Sequence, residues 1–328
     1  MTRRVLGAAV AVAVAAGAAA CSPTEDVLGL RTNTTVSGTQ PVLAPTRATA
    51  VAERALARAE RADAARTTAA AREAFTGLAL RLAAPSYLRG GVSDRSGSAL
   101  QPSESPRVVV TAGSAWPRTV LSVHRPDPEG PAQFSVLQSR NARTPYQVAA
   151  RVNLLVGAAL PPSVPADQGA DVLTAYAAGL VATPRRAVAD YARLLQTGRS
   201  GGTAFDSDAV VTGVRNNASS QAADVRAVAT FTQEHRPERD IVSAVRTADG
   251  GALVVAAIDR VDRFRVRKGA GTISAPAAYG GLAKGVERIS QQADVTTVQV
   301  VALVLPPAGR GPARLVGFAE QPVAFAAS

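Results

Sequence analysis

The single cysteine of this 328-residue chain, Cys21, constrains the fold more than any other residue. Without a second cysteine no internal disulfide can form, so packing alone must stabilise the folded part. Cys21 also ends an N-terminal segment that begins with Arg3 and Arg4 and then carries no charge. A positive start, an apolar stretch and small residues before a cysteine are typical of an export signal, interpreted here as a bacterial lipoprotein signal. We therefore predict a signal peptide over residues 1–20 and lipidation of Cys21.

Two alternatives to lipidation stay open at this point. Ala18 and Ala20 also fit an ordinary secretory cleavage site, which would release a soluble protein beginning at Cys21. A retained membrane helix is the weaker alternative, because the uncharged segment is shorter than the roughly 20 residues needed to span a bilayer and consists mostly of Ala and Gly.

Composition and charge narrow the classes of partner. The hydrophobic fraction of 47% is normal for a globular protein, whereas aromatic residues make up only 4%, so Val, Leu and Ala must fill the core. The net charge of +11 predicts attraction to anionic lipid headgroups or acidic wall polymers. Nucleic acid is excluded as a partner, since the arginines are spread along an exported chain and do not alternate with aromatic residues.

The residues after Cys21 predict a tether followed by a first α+β domain. Residues 21–48 are rich in Thr, Ser, Gly and Pro, which is typical of a flexible linker. The first domain is predicted over residues 49–160, and its helical part, Val51 to Ala83, is one helix or two joined near Thr67 and ends before Pro85. Alternating or continuous apolar segments predict strands at residues 107–111, 120–123, 134–137 and 146–154.

Residues 161–182 are predicted to be a linker to a second α+β domain, over residues 183–328. Its first helix has an N-cap at Thr183, a proline in the first turn and a closing glycine at Gly198. A second helix is predicted over residues 206–223. Strands are predicted at residues 226–233, 240–247, 253–266, 295–305 and 314–325, with the segment 298–305 apolar on both faces as in a central strand.

The order of helices and then strands occurs twice, which favours two α+β domains, each with helices packed on a curved antiparallel sheet. This order resembles the cone-shaped fold of nuclear transport factor 2 and the related cystatin-like fold. Those folds serve enzymes and passive binders alike, so the resemblance implies no activity.

Three short motifs carry a family resemblance: Trp116-Pro117-Arg118, the segment from Ser139 to Tyr146, and the segment from Thr183 to Tyr191. They resemble segments of an uncharacterised family of actinobacterial lipoproteins with a domain of unknown function. The resemblance implies an envelope location and a shared domain, and it assigns no catalytic residue.

Residues with catalytic or metal-binding potential are few. The only histidines, His124 and His235, are predicted at a strand end and in a solvated turn. Glu234 and Glu238 beside His235 would suit acid–base chemistry at a pocket mouth, but the pattern favours a charged solvated turn. We predict no metal site, because cysteine ligands and metal-binding motifs are missing from the sequence, and no cofactor, because no phosphate-binding loop has the required spacing.

The densest charge cluster lies near residue 263. In an extended strand Arg263 and Arg265, with Arg267 beyond them, lie on one face, opposite Phe264 and Val266. This stripe is a candidate anion-binding site for headgroups or wall polymers. The alternative is a solvated outer face balanced by nearby carboxylates.

These features together favour a non-enzymatic lipoprotein on the outer face of the cell membrane that binds an envelope protein, a wall polymer or a small ligand. An envelope enzyme with a polar pocket inside a cone-like sheet is the alternative, and a structural spacer between membrane and wall is a third class. A deep pocket with a converging carboxylate and histidine would favour the enzyme, whereas a filled apolar interior with an exposed groove would favour binding.

Overall fold

The structure is a computed structural model that describes residues 40–88, 106–127, 129–275 and 279–328. In chain order its elements are α1 (Pro45–Ala65), α2 (Thr68–Ala74), α3 (Gly77–Leu88), β1 (Arg107–Val110), β2 (Arg118–His124), β3 (Gln133–Ser139), β4 (Gln147–Leu154), α4 (Pro184–Thr197), α5 (Ala209–Val225), β5 (Ala229–Arg246), β6 (Ala252–Val266), β7 (Ile273–Ser274), α6 (Gly280–Ala283), β8 (Arg288–Ile289), β9 (Gln292–Leu305) and β10 (Arg314–Ala327).

The helices begin and end where local chemistry dictates. Pro45 occupies the first turn of α1, so the folded part begins inside the predicted tether. α1 ends at Arg66, whose left-handed backbone (φ 51°) returns its N–H to Ala62 O, and Thr67 caps α2 as the sequence predicts. Pro85 lies inside α3, contrary to the prediction that it ends the helix. It cannot donate a hydrogen bond to Arg81 O, and the helix continues for less than one turn beyond it.

One antiparallel sheet contains eight strands in the order β1-β2-β3-β4-β10-β9-β6-β5, and β7 pairs with β8 in a separate ribbon. The α+β class is therefore confirmed, but the prediction of two separate sheets is wrong. The two predicted sheets join where β4 meets β10, at Leu154 with Gly317 and Asn153 with Phe318. A Cβ at Gly317 would lie 2.7 Å from Val152 Cγ2, so glycine permits this close junction.

The sheet curves so that one face forms an inner core. Side chains of β2 and β3, such as Leu121 and Phe134, belong to the same buried cluster as Val255 of β6 and Val300 of β9. The Gln138 side chain on β3 donates to Val242 O on β5 at 3.2 Å, which shows how near these strands come across the inner face. The structure shows one large, curved antiparallel sheet with a filled inner face, and the resemblance to the cone-shaped fold stays a prediction.

Helices cover the outer face in two places. α1 and α2 pack on β2 to β4 through alanines and Phe75, and α4 and α5 pack on β5, β6 and β9 through Tyr191 and Leu195. β9 is buried on both faces between β6 and β10, which confirms the predicted central strand. The fold is thus a curved sheet with α1, α2, α4 and α5 on its outer face, while aliphatic side chains that include Leu78 of α3 fill the inner face.

The segment predicted as a linker, residues 161–182, is a packed strap across both edge strands. Ala170, fully buried, bridges to Thr111 just after β1, and Val172 bridges to Val245 of β5. The described residues accordingly belong to one compact unit. The sequence did not predict this packing. The backbone N–H and C=O groups of a Pro-rich segment can form hydrogen bonds in isolated bridges to strands as well as with water.

Candidate functional site

An open depression of the described surface lies at the end of the sheet where β9 turns into β10, and we call it the turn-end depression. Its volume is about 700 Å³. It is lined by Asp206, Asp249, Gly250, Val304, Pro306, Pro307, Arg310, Gly311, Pro312 and Arg314. Three separate loops therefore build it: the connection from α4 to α5, the β5–β6 turn and the β9–β10 turn.

The β9–β10 turn is held in place by the strap. Val181 N donates to Pro306 O at 2.9 Å and Ala308 N donates to Gly179 O at 3.0 Å. Pro306 and Pro307 fix their own φ angles, and Gly309 takes the left-handed conformation that the turn needs (φ 76°). This wall of the depression is consequently preorganised.

The β5–β6 turn presents Asp249 on the opposite wall. The Asp249 carboxylate accepts hydrogen bonds from Thr247 Oγ1 and from Gly251 N at 3.1 Å, and the Thr247 bond is the main cause that lowers the pKa of Asp249. A Cβ at Gly251 would lie 2.7 Å from Leu305 O, so only glycine fits there. The carboxylate is thus fixed and ionised at neutral pH.

Charges of both signs meet in the turn-end depression. Asp206 and Arg310 are exposed, and the Asp206 N–H is held by Ala313 O at 2.9 Å. Arg314 is partly buried and donates through Nη2 to Ala159 O at 3.2 Å. Two carboxylates and two guanidinium groups among rigid prolines can hydrogen-bond a polar chain, such as a peptide or a polymer, along its length.

Sequence reasoning located two of these turns but not their convergence. Asp249-Gly250 and the proline-rich segment after β9 were both predicted as turns. That they line one depression with Asp206 follows from strand pairing, since the β5–β6 and β9–β10 turns lie at the same end of neighbouring antiparallel strands.

The predicted arginine stripe lies on the inner-face side of the sheet, at the end of β6 and β9 opposite to the turn-end depression. Arg263 forms a two-pronged ion pair with Asp294 of β9 at 2.7 and 2.9 Å. Arg265 donates to Gln292 Oε1 at 3.1 Å and Arg267, which follows the end of β6, donates to Arg226 O at 3.0 Å. Each arginine therefore has a partner, and Arg265 and Arg267 remain exposed.

The two histidines lie on different parts of the sheet. His124 ends β2 as predicted, and burial, with the nearby Arg151 charge, lowers its pKa to about 4. His235 is 6% exposed inside β5, so its predicted place in a solvated turn is wrong. Pro237 does not interrupt β5 because it lies on an edge strand, where a missing N–H breaks no ladder bond.

The carboxylates predicted to flank His235 do not converge on it. Glu234 pairs with Arg236 at 2.5 Å, and Glu238 pairs with Arg81 of α3. Among the residues that the structure describes, no group of three or more His, Cys, Asp and Glu could hold a metal ion. Helices in the described ranges are also not long and apolar enough to cross a membrane. Cys21 and its signal lie outside the described residues.

The family model of a domain of unknown function, DUF8094, matches residues 111–325. This range includes β2 to β9, most of β10, the strap and every residue of the turn-end depression, whereas α1 to α3 and β1 precede it. The resemblance read from the sequence is confirmed to the extent of a family with a domain of unknown function. No curated protein and no solved structure matches the chain.

Proposed function

The chain belongs to the DUF8094 family, defined by a domain of unknown function, and from its N-terminal sequence we propose that it is a lipid-anchored protein on the outer face of the cell membrane that binds an envelope partner. The observation that carries the proposal is the position of the only cysteine, directly after an uncharged leader that begins with two arginines. Lipid attached to Cys21 would hold the protein at the membrane.

The spacing between Cys21 and the fold supports an anchored role. Among the described residues, Gln40 O already accepts a backbone hydrogen bond from Gly113 N at 2.9 Å, and Val42 N donates to Thr111 O at 2.8 Å. A coil of the intervening length would have a root-mean-square reach of roughly 25 Å. That distance would let the sheet stand clear of lipid headgroups while keeping it near the membrane.

The inner face of the sheet supports binding over catalysis. Aliphatic side chains fill it in the described structure, whereas His235 lies on the opposite face and is within hydrogen-bond distance of two glutamine side chains. The turn-end depression, by contrast, is open, rigid and lined by Asp206, Asp249, Arg310 and Arg314. We take it as the surface that contacts a protein or polymer partner.

Anchoring is tested by replacing the cysteine. Cys21→Ser should move the protein from the membrane fraction to the medium or leave an uncleaved precursor, and the control Ser22→Ala should stay in the membrane fraction. Mass spectrometry of the mature N-terminus should show a diacylglyceryl-modified Cys21. An unmodified cysteine would reject the lipoprotein assignment.

Partner binding is tested by photo-crosslinking in intact cells. A photoreactive amino acid replaces Arg310, which lies in the turn-end depression, or Arg54, which is exposed on α1. A defined adduct from position 310 and none from position 54 would support the depression as the binding surface. Equal adducts at both positions, or none at position 310, would reject it.

A further inference from the structure

The side chain of His235 lies between two glutamine side chains on the outer face of the sheet. His235 Nδ1 is 3.0 Å from Gln299 Oε1, and His235 Nε2 is 3.0 Å from Gln233 Oε1. Gln299 is fully buried and His235 nearly so. Both ring nitrogens therefore face amide oxygens, which accept hydrogen bonds and never donate them.

Two carboxylates set the orientation of these amides. Gln233 Nε2 donates to Asp262 Oδ1 at 2.8 Å, and Gln299 Nε2 donates to Glu320 Oε2 at 3.2 Å. An ionised carboxylate only accepts, so turning either amide by 180° would place its oxygen against a carboxylate oxygen. The glutamines consequently connect His235 to two negative charges.

Arg260 closes the network. Its Nε donates to Asp262 Oδ2 at 3.1 Å and its Nη1 donates to Glu320 Oε2 at 2.8 Å. From α4 the only polar contact is neutral, since Gln196 Oε1 accepts from His235 N at 3.2 Å. The charged neighbours on β5 and β6, such as Glu234 and Arg263, point to the opposite face of the sheet.

A count of donors shows that the network lacks one proton when His235 is neutral and both carboxylates are ionised. A neutral ring has one N–H, so one ring nitrogen must present its lone pair to an amide oxygen. The network then also carries a net charge of −1, although water screens part of it, since Asp262 is only 3% exposed but the Glu320 side chain is 40% exposed. An unpaired buried acceptor destabilises the fold, and so does a buried carboxylate that shares its guanidinium partner with a second carboxylate.

One added proton satisfies every group, in either of two positions. On His235 Nε2 it is donated to Gln233 Oε1, and the amides stay as they are. On Asp262, with the Gln233 amide turned by 180°, the carboxyl O–H donates to Gln233 Oε1 while Gln233 Nε2 donates to the lone pair of His235 Nε2. Both arrangements leave the network neutral.

We propose that this network is a proton-binding site, in which one proton is shared between His235 and Asp262 through the amide of Gln233. Losing the proton weakens the side-chain connections among β5, β6, β9 and β10, so the site acts as a pH-sensitive lock on the half of the sheet that carries the turn-end depression. Burial raises the pKa of Asp262 and lowers that of His235 to about 4, which favours the carboxyl as the resting place of the proton. The site is independent of the lipid anchor.

Nuclear magnetic resonance of the purified full chain tests the proton count at pH 7. Nitrogen-15 in histidine reports the charge of the His235 ring, and carbon-13 in aspartate reports ionisation of Asp262. A charged ring with an ionised carboxylate, or a neutral ring with a protonated carboxyl, supports the proposal. A neutral ring together with an ionised Asp262 overturns it.

Urea unfolding between pH 7 and pH 9 tests the lock. The native state should keep a proton that the unfolded chain has released, so the parent should lose stability as pH rises, with the unfolding constant growing up to about tenfold per pH unit. Asp262→Asn supplies the missing donor permanently and should remove this slope.

The matched control is Asp294→Asn, which removes a carboxylate from the same sheet but outside the network, and it should keep the parental slope. A slope unchanged by Asp262→Asn would overturn the proposal. If Asp262→Asn does not fold, the nuclear magnetic resonance measurement of the parent at pH 7 tests the proposal instead. A proton on His235 or on Asp262 supports the proposal, and a neutral ring with an ionised Asp262 overturns it.

Discussion

Asp63 Oδ2 lies 2.6 Å from Arg151 Nη1, an ion pair that joins α1 to β4. Asp63 Oδ1 also accepts from the Tyr87 hydroxyl at 3.1 Å, which connects α3 to the same point. The Arg151 guanidinium lies 5.1 Å from the centre of the Phe75 ring. Because the other buried contacts of α1 come from alanines and a single leucine, Leu56, this pair contributes a large share of the specific contacts of the helix.

Asp63→Asn should lower the free energy of unfolding by about 1 kcal/mol. The effect is modest because the two side chains are 33% and 35% exposed, so water screens their attraction. Urea denaturation measures it, with Glu73→Gln on exposed α2 as the control. A double-mutant cycle with Arg151→Gln isolates the pair, and a coupling energy of zero would show that the contact is incidental.

Gly169→Ala should destabilise the fold more than Gly157→Ala. Both glycines have φ near +75°, so an alanine at either position carries the same backbone strain. A Cβ at Gly169 would also lie 3.0 Å from Pro41 Cα and 3.1 Å from Ala112 Cβ, whereas Gly157 has open space. We expect an additional loss of about 1–3 kcal/mol at Gly169, measured by urea denaturation. Equal losses would show that the strap can shift away from β1 without cost.

The sequence predicted the ends of helices correctly where a single capping residue determines them. Thr183 caps α4 through Arg186 N, and Gly198 closes it in the left-handed conformation, both as the sequence predicts. The same reasoning split β5 into two strands around Pro237. The structure keeps one strand by inserting a bulge between Pro237 and Ile241, which no local pattern indicates.

The pairing of strands that are distant in the sequence could not be predicted. Alternating apolar residues indicate that a strand is buried on one face, but they do not indicate which strand lies beside it. β4 and β10 meet in only two residue pairs, and these join what had been predicted as two sheets. The network around His235 has the same origin, since Gln299 and Asp262 reach it from strands that are adjacent only in the folded sheet.

His124 should make the protein lose stability as the pH falls from about 6.5 to about 4. Burial lowers the pKa of the folded His124 to about 4, while the unfolded value is about 6.5, so the unfolded chain binds a proton that the native state excludes. Stability is therefore complete above pH 6.5 and falls as pH decreases, by at most about 1.4 kcal/mol per pH unit. His124→Gln should flatten the curve of unfolding free energy against pH. Coincident curves for parent and variant would contradict the lowered pKa.

Replacing Arg263, Arg265 and Arg267 by Gln should weaken binding of the Cys21→Ser chain to anionic vesicles. Each arginine near an anionic surface contributes about 1 kcal/mol at most, and the loss should be greatest at low salt because screening is weakest there. Arg263 should account for the smallest part, since Asp294 already neutralises it at 2.7 Å. Vesicle co-sedimentation at two salt concentrations measures the effect.

The control for net charge is a triple change to Gln at three exposed arginines of α1, namely Arg47, Arg54 and Arg61. If the stripe on β6 binds anions as a site, its triple variant should lose more vesicle binding than the α1 variant of equal charge. If both variants lose the same amount, attraction follows the overall positive charge and the stripe is only a solvated face of the sheet. A third alternative is that Arg263 is a structural partner of β9, and urea denaturation tests it. Arg263→Gln leaves Asp294 without its guanidinium partner, so a fall in the free energy of unfolding from that single change would identify this role.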